Sequence, residues 1–375
     1  MMKISIFALF TIFLFQVTFA QYDGHIVHPI EKGDGIGGYP LSGFVREYFI
    51  AAVELDWDYA PLNYDYMHGD QLESTIAKQF TENNARRIGK KYKKAVYRAY
   101  SDATFSTQLP HDPVLGLLGP TIRAETGDRV RVHFRNMASK PYSVHPHGVK
   151  YTLISEGALY MGTEKLKTAA VPPGETVTYV WDVAMRSAPG PNDPSSILYA
   201  YHSHVMDPED IFAGLMGALI VYKPGMLDDT GKPTAYIDQE VIMALLETDE
   251  NRSPYIDDNI QKYTENGIGL KSDAEFRASN FMANINGFIY NNLDGLVMRA
   301  GSRVRWYVFS LGSTFDMHTA HWDGNTVLYH GHRTDVVDLM PASFRTVDMI
   351  PDNVGKWLFH CHVTEHWLKG MSIYY

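Results

Sequence analysis

Apolar and polar positions along most of this chain alternate with a period of two, the signature of strands with one face packed and one face wet. The stretches Tyr48–Trp57 (YFIAAVELDW), Arg129–Phe134 (RVRVHF), Thr176–Trp181 (TVTYVW) and Ala218–Tyr222 (ALIVY) alternate or run in β-prone residues. Gly127-Asp128, Pro172-Pro173-Gly174 and Pro189-Gly190-Pro191 separate them as turns. Helical periodicity is confined to short pieces such as Gln71–Asn84. The pattern predicts an all-β protein built of sandwiches or barrels.

The pattern repeats. Tyr199–Val205 (YAYHSHV) returns as Trp357–Val363 (WLFHCHV), each followed by a glycine and a closing strand, Gly214-Leu215 and Gly370-Met371. Upstream, Gly127–Val132 matches Gly301–Trp306, and Tyr142–Gly148 (YSVHPHG) matches His318–Gly324 (HTAHWDG). Two copies of one domain are therefore expected, at 21–223 and 239–375, joined by a linker over 224–238. A length of 375 residues suits two domains of roughly 150–200 residues each.

The first 20 residues stand outside this pattern. Lys3, the apolar run Ile4–Phe15 and Thr18-Phe19-Ala20 read as a secretory signal peptide over 1–20. No later apolar run reaches the ~18 residues of a membrane span, so secretion without an anchor is the expectation. A net charge of −10 argues against binding a nucleic-acid backbone, which needs clustered Lys and Arg.

Secretion makes the cysteine count informative. Secreted proteins usually pair their cysteines, and this chain has one, in His360-Cys361-His362. Nine of the 16 histidines fall in four short clusters at equivalent places in the repeat. Histidines at i and i+2 on a strand face one side, so each pair can present two imidazoles to one site. Cys361, His366 and Met371, with His318, supply two imidazoles, a thiolate and a weak thioether, the donor set of a blue type 1 copper. The first repeat lacks it: Tyr142, Ser203 and Leu215 stand where His318, Cys361 and Met371 stand. One blue site per chain is expected. His145, His147, His202, His204, His321, His360 and His362 remain, and His360 and His362 flank Cys361, as suits a multi-copper cluster that gathers electrons and reduces dioxygen.

These four clusters resemble those of multicopper oxidases, and the wider chain is similar to the ceruloplasmin and hephaestin branch of that family. The resemblance is carried by Leu55–Ala60, Leu118–Asp128, Val144–Gly148, Tyr201–His204, Asp257–Ile260, Ile285–Gly287 and His360–His366, and covers nearly all the chain after residue 20. It implies two cupredoxin-like Greek-key sandwiches in tandem. It also implies a type 2 copper on His145 and His321, and a type 3 pair on His147, His202, His204, His360 and His362. In the six-domain relatives that cluster lies between the last and first domains of a closed ring. A two-domain chain would rebuild it between copies, as a head-to-tail homotrimer, or by folding its own domains onto one cluster.

The chain departs from the family in two respects. Asp323 stands where the pattern has an eighth cluster histidine, either as a harder ligand or turned away with the site incomplete. Around the blue site, the ferroxidase members hold ferrous iron with carboxylates and a histidine; here the matching positions are Ala278, Ala283 and Thr314, and only the acidic Glu365 is kept. The expected partners are thus dioxygen and a small donor: ferrous iron by lineage, a phenol or amine by the residues, with Ser272–Glu275 as a replacement source of carboxylates. The competing reading is a secreted blue-copper or interaction protein that Asp323 has cost its oxidase activity. Among lesser features, the basic run Arg86–Lys94 reads as a solvated strand edge and Tyr329–His332 as a surface turn. Asn251-Arg-Ser253 is a sequon, weakened by Pro254.

Overall fold

The computed structural model describes residues 25–375 except 30–34, 37, 39, 40, 42, 235, 266, 314 and 315. The segment 1–20, read as a signal peptide, lies outside the described residues, as does Thr314.

Four sheets form two sandwiches. In the first, Phe44–Asp58 lies between His25–Pro29 and Arg129–Asn136 and also pairs with Lys91–Ala99; Thr176–Asp182 and Lys150–Tyr151 complete that sheet. The facing sheet runs Ile122–Glu125, Met216–Tyr222, Ser196–His202, His145–Pro146. The second sandwich has one sheet ordered Phe281–Ile285, Gln239–Asp249, Val304–Ser310, Ser343–Met349, Val327–Tyr329, His332–Thr334. Its other sheet runs Val336–Leu339, His318–Trp322, Leu358–Cys361, Ser372–Tyr374. The same parallel pairing opens both: Val45 opposite Arg129, and Gln239 opposite Val304.

Period-two patterning explains the layers. In Arg129–Asn136 every second residue is buried, and Val130, Val132 and Phe134 enter the first core with Tyr179 and Trp181. Strands buried on both faces read as unbroken apolar runs. Met216–Tyr222 is one: Leu219 and Val221 point into the first core, while Ala218, Ile220 and Tyr222 meet Ile242, Ala244, Tyr307 and Phe309 of the second sandwich. Val241, Met243, Trp306 and Val308 turn the other way into the second core. The two sandwiches thus share an apolar interface rather than a flexible linkage.

The anticipated helix over Gln71–Asn84 is reduced to a 3-10 turn, Leu72–Ser74, and one α-turn, Lys78–Thr81. The basic run corrects an expectation. It does lead into an edge strand, but Lys94 is wholly buried and paired with Glu250 across the interface, its ammonium also donating to the Phe212 carbonyl at 2.5 Å and to Tyr59 at 3.1 Å. Tyr329–His332 is a tight exposed turn, with His330 at φ 48°. The Asn251 amide is engaged by Asp249, the Arg277 carbonyl and Asn280. Among the described residues no helix is long and apolar enough to cross a membrane.

Candidate metal centres

One pair of strands builds two sites, one on each face. His318–Trp322 and Leu358–Cys361 are antiparallel, with Ala320 opposite Cys361 and His321 opposite His360. Alternation sends His318, Ala320, Phe359 and Cys361 into the core and His321 and His360 to the opposite face.

On the inner face, His318, Cys361 and His366 converge and are all buried. The two Nδ1 atoms are 3.0 Å apart, and the Cys361 thiol lies 3.7 Å from each. Each ring is held from behind: His318 Nε2 is 3.3 Å from Asp316, and His366 Nε2 is 3.7 Å from Glu247. Burial would raise the thiol pKa, but hydrogen bonds from His318 and His366 outweigh it and draw Cys361 down to about 6. Burial likewise opposes charge on His366, yet the thiolate and Glu247 lift it to about 9. Met371 is wholly buried, tied to the site through its backbone: it donates to the His366 carbonyl and accepts from the Cys361 N–H, both at 3.1 Å.

On the outer face, His321 Nδ1 is 3.0 Å from His360 Nε2. Asp323 is turned toward them, 3.3 Å from His321 Nδ1 and 3.6 Å from His360 Nε2. The His362 ring lies 5.2 Å from that of His321. His360 Nδ1 bonds the Cys361 carbonyl at 3.1 Å, so the two faces are also linked by a hydrogen bond.

The first sandwich repeats only the outer arrangement. His147 Nε2 is 3.1 Å from His202 Nε2, and the His145 ring is 5.1 Å from His204. His202 Nδ1 bonds the Ser203 carbonyl at 2.9 Å, as His360 does that of Cys361. Burial lowers the pKa of His145 and His202 and brings His147 to about 4, keeping these imidazoles neutral and able to accept a metal.

Its inner face is a different object on the same backbone. Leu215 donates to the Asp210 carbonyl and accepts from Ser203 N–H, both at 3.1 Å, matching Met371 with His366 and Cys361. Asp210 thus occupies the place of His366, and Ser203 Oγ donates to it at 2.7 Å. Asp210 was missed from the sequence, although it lies five residues before Leu215 as His366 does before Met371. Tyr142, in the place of His318, donates to the Tyr255 hydroxyl at 2.9 Å, which donates to Glu54 at 2.9 Å.

The two outer sets stay apart within the chain. Among the described residues no ring of His145, His147, His202 or His204 contacts His321, His360 or His362. What the second sandwich presents to His147 is Phe344, 5.3 Å between rings.

The donor-side positions are less conventional. Glu365 is exposed beside His366 on Thr364–Leu368; Ala278 is exposed and Ala283 wholly buried. Asp273, in the Ser272–Glu275 loop, caps Ala274–Ser279 and pairs with Arg86. Opposite Ala283 across the strand pair is Glu247, which sequence reasoning missed.

Comparison with known proteins follows the same lines. Two models described as multicopper oxidase match residues 116–225 and 267–375. The chain is 43% identical over 337 residues to ferroxidase HEPHL1 of Mus musculus, covering 88% of this chain and 29% of that protein. It is 38% identical over 358 residues to hephaestin of Rattus norvegicus (94% and 31%) and 40% identical over 340 residues to ceruloplasmin of Homo sapiens (88% and 30%). It therefore spans about three-tenths of the length of these relatives. Among solved structures, a multicopper oxidase aligns at TM-score 0.56 and 20% identity, covering 92% of each chain. A blue copper oxidase from Nitrosomonas europaea aligns at 0.55 and 19%, covering 88% of this chain and 84% of that one. These two share the fold: two cupredoxin-like domains in tandem.

Proposed function

This chain belongs to the multicopper oxidase family, and on that premise we propose that it is a secreted copper oxidase that takes single electrons from a donor beside His366 and passes them to dioxygen. The observation that carries the reading is the strand pair that holds a buried thiol with two imidazoles on one face and a second imidazole set on the other.

The residues fit copper. One soft thiolate with two imidazoles is too few sulfurs for structural zinc and suits a type 1 copper on His318, Cys361, His366 and Met371. Held by these residues, copper would supply one-electron redox chemistry. Asp316 and Glu247 hold the Nε2 edges and thereby aim both Nδ1 atoms at the thiol. The wholly buried Cys361 keeps water away, and its own backbone leads to His360 and His362.

His145 and His321 would hold the type 2 copper; His147, His202, His204, His360 and His362 the type 3 pair. The inward turn of Asp323 supports it as the remaining ligand. Because the two outer sets do not meet within the chain, completion by a neighbouring copy in a head-to-tail trimer is the reading they favour. Exposed Leu153, Ile154, Met161 and Met206, close in sequence to the first set, support a covered face there. Secretion rests on the pattern of residues 1–20. Ferrous iron is the donor named by lineage, in the relative called a ferroxidase.

The test is oxygen uptake by copper-loaded protein with ferrous iron, a phenol and an aryl diamine, run beside sedimentation. Uptake by a blue trimer is expected. Blue colour without uptake from any donor would leave a copper-binding protein, and a fully active monomer would defeat the trimer.

A further inference from the structure

The electron-entry edge of the blue site carries its own cation. Glu247 is 7% exposed, its Oε2 lies 3.7 Å from His366 Nε2, and its Oε1 receives the Lys369 ammonium at 2.5 Å. Its backbone N–H is fixed by Asp316 at 2.7 Å, so the carboxylate is placed by the same residue that orients His318. Glu247 is in register with Ala283, a methyl where a ligand would otherwise stand.

We infer that Lys369 is a built-in cation that fills the seat beside His366, so that this edge refuses a divalent metal ion. The inference rests on the oxidase reading of the site. A divalent ion at Glu247 would have to break the ion pair and settle a few ångströms from an ammonium. Phe281, whose ring centre is 5.8 Å from the ammonium, and partly exposed Leu368 give the surroundings an apolar character.

Calorimetric titration of the copper-loaded protein with manganese(II), which resists oxidation, tests this. Wild type should show no saturable site at this edge. Lys369→Gln should gain one, tightening binding by about tenfold or more, and Glu247→Gln combined with Lys369→Gln should lose it again. Lys369→Met, which keeps the stem packed, reads the same gain if the Gln variant loses its blue colour. A manganese site in wild type that Glu247→Gln abolishes, or no gain in a blue Lys369 variant, overturns the inference. Blue absorption of wild type, recorded before manganese is added, reports separately on the oxidase reading: its absence sinks that reading alone.

Discussion

The two sandwiches share one backbone frame around the inner site and fill it with opposite chemistry. In the second, His318, Cys361 and His366 make a soft, metal-seeking set above Met371; in the first, Ser203 donates to Asp210 and Tyr142 turns to Tyr255, so each is satisfied by a hydrogen bond above Leu215. The strand register and closing turn therefore do not by themselves create the site. Four side chains do. The segment Glu209–Ala213 has been given other work, since its Phe212 carbonyl anchors the Lys94 ammonium of the pair that crosses the domain interface.

The largest expected effect removes the asymmetry. Cys361→Ser gives the second sandwich the first one's residue and should abolish both blue absorption and oxygen uptake; persistent blue colour would mean the thiol is not the ligand. Next is the reverse graft. Tyr142→His, Ser203→Cys, Asp210→His and Leu215→Met together should roughly double the blue absorbance per chain, because the backbone hydrogen bonds already match. An unchanged spectrum in a folded variant would show that the frames differ where it matters.

Third comes the interface. Lys94→Met leaves Glu250 buried without its counter-ion and should cost about 3–5 kcal/mol in denaturant unfolding, with partial recovery on adding Glu250→Leu. A loss below about 1 kcal/mol would show the pair to be dispensable. The smallest effect concerns Asp210, whose pKa burial raises from 3.8 to about 6. A carboxylate raised in the folded state stabilises when protonated, so its contribution is complete below about pH 4 and lost as pH rises through 6, a span of at most about 3 kcal/mol. Asp210→Asn should flatten the stability–pH curve in that window, and a slope equal to wild type would place the titration elsewhere.

Much of this was legible in the sequence because strands and metal sites both announce themselves by period. Alternation in Arg129–Phe134 and the paired histidines required no knowledge of the fold. Residues whose meaning depends on a distant partner were not legible. Lys94 lies in a run of bases that reads as solvated, and its Glu250 is 156 positions away. Glu247 gains significance only from its register with Ala283 and from Lys369, 122 positions on. Asp210 was recoverable from the repeat, but a carboxylate replacing an imidazole beside Ser203 and Tyr142 leaves no metal-ligand pattern to look for.

The separation of the two outer histidine sets has a consequence for the protein as a population. In the proposed trimer, a centre completed between copies would exist only above the concentration at which copies associate. Under that proposal, three-chain association would make competence fall more steeply than protein concentration on dilution, so a diluted molecule would go silent without being degraded. Oxygen chemistry would then be confined to where the protein accumulates, by mass action alone.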